Sequence, residues 1–137
     1  MRRRAAFTIV ELMVAMVLLG ALSAIAVPRY RTYKERAYVA TLRTDLGHLR
    51  IAEESYLAEF QVYAADTTAL DFRHSSEVRI ALSSQDLMGG YTAVATHLRV
   101  PSVQCQTAMG REASPAESGA IYCGPVGGGA GTLPGVP

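Results

Sequence analysis

The chain has 137 residues, half of them hydrophobic, with 13 basic and 12 acidic side chains and a formal charge of +1. That length allows one domain plus an anchor, and so even a balance excludes the strongly basic footprint of a nucleic-acid binder. The balance hides an asymmetry: without Arg2, Arg3 and Arg4, ten basic residues face twelve acidic ones.

The first element is apolar. From Phe7 to Val27 run 21 residues in which Glu11 is the only charge. As a helix this run spans a hydrocarbon core of about 30 Å. An ionised carboxylate inside it costs on the order of several kcal/mol unless a cation or hydrogen-bond donors meet it. Three readings compete. A secretory signal peptide would use the small-x-small site at Ala24-Ile25-Ala26, but the run is longer than a usual signal core, contains Glu11 and is followed closely by Pro28. A plain membrane anchor has no use for Glu11. The third reading is a segment built for assembly.

The residues favour the third. A short basic leader, then Ala5-Ala6-Phe7-Thr8-Ile9-Val10-Glu11-Leu12, then an apolar helix with Gly20 and Pro28, resembles the processing and assembly segment of type IV pilins and pseudopilins. The resemblance implies that residues 1–6 are a prepilin leader, that a prepilin peptidase cuts between Ala6 and Phe7 on the cytoplasmic face, and that Phe7 is then N-methylated. It also implies that Glu11 guides docking, that the subunit waits in the inner membrane, and that the pilus assembly machinery polymerises it into a homo-oligomeric helical filament outside the cell. The sequence departs from the family at Ala6, where Gly is usual, which bears on the efficiency of the cut more than on its site. Cleavage before Phe7 would create an α-amino group four residues from Glu11. A neighbouring copy's amine, reaching that carboxylate in a low-dielectric core, pairs far more strongly than it would in water. Flanking charge is nearly tied, Arg2–Arg4 against Arg29, Arg31, Lys34 and Arg36, so an N-inside orientation rests on the motif rather than on charge counting.

Helical periodicity continues past the apolar run. Tyr38, Leu42, Leu46, Leu49, Ala52, Tyr56 and Phe60 recur at steps of three or four, one stripe of a 3.6-residue helix. A single helix from Phe7 to Phe60 would be about 80 Å long. Its first half, apolar all round, is expected to protrude from the domain that its second half packs into. Gly20 and Pro28 weaken it: proline cannot donate to the carbonyl of Ala24 and crowds that turn. A kink is expected near Ala24–Pro28, with melting between Gly20 and Pro28 in a filament. Charges fall in blocks, with Arg29, Arg31, Lys34 and Arg36 first and Glu53, Glu54 and Glu59 later. These are either solvated faces or blocks that meet between staggered helices. Tyr30, Tyr33 and Tyr38 suit an interfacial belt before assembly.

Beyond Phe60 the pattern changes. Asp66 or Thr67 is a candidate N-cap for a short helix, and four strand-like runs follow at Val78–Leu82, Tyr91–His97, Val103–Met109 and Ala120–Cys123. They predict an α+β fold: a long N-terminal helix packed by its second half on an antiparallel sheet of about four strands. The expected organisation is leader 1–6, assembly helix 7–28, globular domain 29–124 and a disordered Gly/Pro tail 125–137. Cys105 and Cys123 suit one disulfide in an oxidising compartment, joining the last two strands or the loop between them. Closing that loop is worth about 3 kcal/mol in the chain-entropy model. Residues 106–122 resemble the variable surface loop of pilins.

Enzyme chemistry is not visible. His48, His74 and His97 are scattered, and no phosphate loop, serine-nucleophile elbow, His-Glu-x-x-His or Cys-x-x-Cys is present. Neither a cofactor nor a metal site is expected. The reading is a non-enzymatic filament subunit serving adhesion, twitching motility or DNA uptake. A pseudopilin of type II secretion is the nearer alternative; major pseudopilins usually carry an acidic calcium site, and residues 105–137 hold only Glu112 and Glu117. A secreted or membrane-tethered binding domain is the more distant one.

Overall fold

The structure, a computed structural model, describes residues 7–113 and 118–127. It contains one long helix, α1 (Ile9–Phe60), a 3-10 turn, η1 (Thr67–Ala69), and four strands, β1 (Val78–Ser83), β2 (Gly90–His97), β3 (Val100–Gly110) and β4 (Ile121–Pro125). The chain divides into two compact units, one ending at Glu35 and the other beginning at Arg36. In the first unit the described residues are all exposed, and α1 runs unbroken through Gly20 and Pro28.

In the second unit the strands form an antiparallel meander in the order β1-β2-β3-β4. The α+β fold expected from the periodicities is the one observed. β2 alternates cleanly, burying Tyr91, Ala93, Ala95 and His97, because successive side chains of a strand face opposite sides. Tyr91, Ala93 and Ala95 form one core with Leu42, Leu46 and Leu49 of α1, Val78 of β1 and Cys105 of β3. Burying a Leu or Val side chain contributes about 1.5–3 kcal/mol, so this stripe fixes the register of α1 on the sheet. β2 and β3 cross closely at the Gly90–Gly110 pair. A Cβ at Gly110, where φ is +69°, would lie 2.0 Å from the carbonyl oxygen of Gly89, so only glycine fits there.

Several boundaries move. The short helix is capped by Asp66, which accepts from the Thr68 N–H at 2.6 Å. The Asp66 carboxyl is held below its usual range by those Thr68 bonds. β3 begins at Val100 and runs to Gly110, and Cys105 and Cys123 are direct register partners on β3 and β4, joined as a disulfide. The segment 106–122, likened to a surface loop, is strand at both ends, as the runs Val103–Met109 and Ala120–Cys123 led one to expect. Gly124 and Pro125 close β4, and the Val126 N–H donates to the Ser102 carbonyl at 3.0 Å. Residues 1–6 and 128–137, the expected leader and most of the expected tail, lie outside the described residues, as do residues 114–117 between the two cysteines.

The stripe on α1 differs from the expected one at its far end. Phe60 is 53% exposed, whereas Asp45 and Glu53 are buried in the stripe. Both carboxylates receive backbone N–H groups from crossing loops. Asp45 accepts from the Ser75 N–H at 2.9 Å and from its hydroxyl at 3.2 Å, and Glu53 accepts from the Ala64 N–H at 3.0 Å. The reading of Glu53 as part of a solvated acidic block is thus corrected: its exposure is 0%. Burial pushes its carboxyl above the usual range, against the smaller opposing pull of the Ala64 bond.

Candidate functional site

The start of α1 is built by four residues. Thr8 is the residue before the first helical position, Ile9. Its N–H and its hydroxyl both donate to Glu11 Oε2, each at 2.9 Å, while the Glu11 N–H donates to Thr8 Oγ1 at 3.2 Å. This is a capping box: a Thr cap and a Glu three residues on satisfy each other's orphan backbone donors. The carboxylate also sits where the helix dipole favours negative charge. The Thr8-Ile9-Val10-Glu11 spacing ahead of an apolar run is the sequence signal for such a box, and reading Glu11 only as a docking charge misses it.

The box changes the energetics of that carboxylate. A bare carboxylate in hydrocarbon is costly, but here Oε2 already has two donors. Oε1 carries no hydrogen bond among the described residues, so a further cation can be accepted without breaking the cap. Phe7 lies immediately before the box and is 86% exposed. Ala6, the other side of the expected cut, lies outside the described residues.

Behind the box, α1 is long and apolar enough near its N-terminus to cross a membrane, judged by length and composition. Ile9, Val10, Leu12, Met13, Met16, Val17, Leu19 and Leu22 are all more than half exposed. Apolar area of that extent needs lipid or other helices to cover it. Nothing lies within 4 Å of a Cβ placed on Gly20. At Pro28 the missing N–H frees the Ala24 carbonyl, and Thr32 Oγ1 donates to the Pro28 carbonyl at 3.4 Å. The structure brings Phe7 and Glu11 together at one helix end and leaves Gly20 and Pro28 further along the same helix. Cys105 and Cys123 lie in the other unit, as a brace of the sheet.

His48 and His74 are exposed, and His97 is buried. His97 Nδ1 accepts from the Arg99 N–H at 3.1 Å, and its ring stacks on Tyr38 with centroids 4.4 Å apart. Arg99 in turn pairs with Glu77 at 2.8 Å and holds that carboxyl below its usual range. Among the described residues no group of three His, Cys, Asp or Glu side chains is placed to hold a metal.

Comparison with known proteins bears on the same segment. Residues 1–27 match the family model described as the prokaryotic N-terminal methylation motif. Over about half its length the chain is similar to type IV pilins. It is 31% identical over 84 residues to the type IV major fimbrial protein FimA of Dichelobacter nodosus, covering 61% of the chain and 46% of that relative. It is likewise 31% identical over 74 residues to a fimbrial protein of Pseudomonas aeruginosa, covering 54% and 48% respectively. With the type IV major pilin protein PilA of Myxococcus xanthus it shares 30% identity over 70 residues, 51% of the chain and 32% of that relative. The chain thus spans about half or less of the length of the curated relatives it matches. These likenesses support a pilin subunit, whose processing motif and apolar helix fit membrane anchoring.

Proposed function

We propose that this pilin-like chain is a structural subunit of a type IV pilus-like filament, held in the inner membrane through residues 7–28 and polymerised through α1. The observation that carries the reading is the combination of a methylation motif with an apolar helix start whose residues 9–37 are all exposed. In this account the leader 1–6 is removed between Ala6 and Phe7, and the methylated Phe7 amine of one copy meets the open Oε1 of Glu11 in another. Glu11 sets register, not chemistry, and Gly20 and Pro28 mark the stretch of helix that yields as copies pack. Filaments so built are placed outside the cell, where they serve adhesion, motility or DNA uptake.

Two substitutions separate docking from capping. Glu11→Gln keeps an acceptor for Thr8, since Gln also completes a capping box, and removes only the charge. Glu11→Ala removes both. Electron microscopy of sheared surface fibres should show filament yield falling in both variants, with the membrane-bound pool retained. Wild-type filament yield from Glu11→Gln would overturn the docking role.

A further inference from the structure

The second unit carries a groove of about 570 Å³ between the outer face of α1 and the segment after η1. Its floor is apolar: Ile51, Tyr56, Phe60 and Phe72 line it, and Ile51 is 62% exposed. In the lining, which also holds His48, Glu59 and Asp71 exceed Arg73 by one charge, and none of the three forms an ion pair among the described residues. An acidic groove with an apolar floor fits a cationic helix that presents aromatic anchors.

The chain contains such a helix face. Arg29, Arg31, Lys34 and Arg36 surround Tyr30 and Tyr33, which are 61% and 64% exposed and three residues apart on one side of α1. The Lys34 ammonium lies 5.3 Å from the centroid of the Tyr30 ring, a cation–π arrangement. Among the described residues no carboxylate pairs with any of these four cations. Against it stands one acid, Glu35, leaving this short stretch markedly positive.

We infer that the groove takes residues 29–36 of a second copy, with Tyr30 and Tyr33 against Ile51, Phe60 and Phe72 and the bases facing Glu59 and Asp71. The inference rests on the filament reading and adds to it a contact that repeats from copy to copy, distinct from Glu11. Opposite charges at the rim select register and suppress wrong stagger more than they add affinity, and the aromatic anchors supply the buried area.

The test uses the full chain expressed with its assembly machinery. Thr32→Cys and Ser55→Cys place one thiol beside the anchors and one in the groove, and a short bismaleimide links them without touching the Cys105–Cys123 disulfide. Sheared filaments should give a ladder of crosslinked oligomers of this chain. Glu59→Arg with Asp71→Arg should abolish the ladder, and adding Arg31→Glu with Lys34→Glu should restore it. Near-ultraviolet circular dichroism verifies that each variant keeps the wild-type fold. Filaments without the ladder, a ladder indifferent to charge reversal, or a crosslink to some other protein would each overturn the inference while leaving the filament reading intact. A parent chain that forms no filament under the same conditions would remove both.

Discussion

Glu53 gives the most quantitative prediction. It is fully buried, with one oxygen on the Ala64 N–H; Oε1 and the Tyr91 hydroxyl, which feels its charge, have no partner among the described residues. Glu53→Ala leaves the Ala64 N–H unsatisfied, at about 1–3 kcal/mol, and removes the burial of one methylene, worth about 0.8 kcal/mol. The sum, about 3 kcal/mol, corresponds to a fall in Tm of about 15 °C for a domain of this size. Glu53→Gln keeps the acceptor and removes the charge, so it should be at least as stable as wild type near neutral pH. The pH dependence has a definite sign. Because burial raises the folded-state value above the ordinary 4.5, the stabilisation from Glu53 is full below that value and is lost as pH rises through the raised one. Thermal unfolding of the full chain in detergent, followed by near-ultraviolet circular dichroism of the tyrosines, should show the gap between Glu53→Gln and wild type widening with pH. A gap constant from about pH 4 to pH 7, or a Gln variant as unstable as the Ala variant, would refute the reasoning.

Three further outcomes follow from the same contacts. Thr8→Val removes the capping hydroxyl and should cost about 1 kcal/mol at the start of α1, seen as faster amide exchange at residues 9–12 in micelles; unchanged exchange would count against the box. Cys105→Ser opens the β3–β4 brace and should cost about 3 kcal/mol, measured as a lowered denaturant midpoint. Gly20→Ala meets open space and gains about 1 kcal/mol of helix propensity. It should leave the monomer intact yet hinder any melting between Gly20 and Pro28, which a filament density map would show as helix retained there.

Much of the architecture was legible because it rests on two periodicities. Leu42, Leu46 and Leu49 announce a helix face, and Val78, Ile80 and Leu82 announce a strand. What escaped was polar. Asp45 and Glu53 fall at the steps of the Leu42–Leu49 stripe, and that spacing was the available signal. Their hydrogen-bond partners, Ser75 and Ala64, are loop backbone groups whose approach no local pattern encodes. The Phe60 position shows the converse: it continues the stripe by spacing, but the core ends near Tyr56 and leaves it in the groove wall. Strand ends shifted where β3 starts at Val100, paired with His97 of β2, and where β4 runs on to Pro125, residues whose Pro and Gly content reads as strand-breaking. At the N-terminus the lone charge of Glu11 was visible, and its place in a helix cap was equally written in Thr8 and Glu11.

The most direct test is peptide mass spectrometry of this chain recovered from sheared surface fibres. An N-terminal peptide beginning at Phe7 and heavier by one methyl group on its amine is the predicted result, since only that cut places a fresh cationic end beside a capped carboxylate with one oxygen left open. A fibre-borne chain that begins at Val27 or still carries Met1–Ala6, or fibres lacking the chain altogether, would contradict the account.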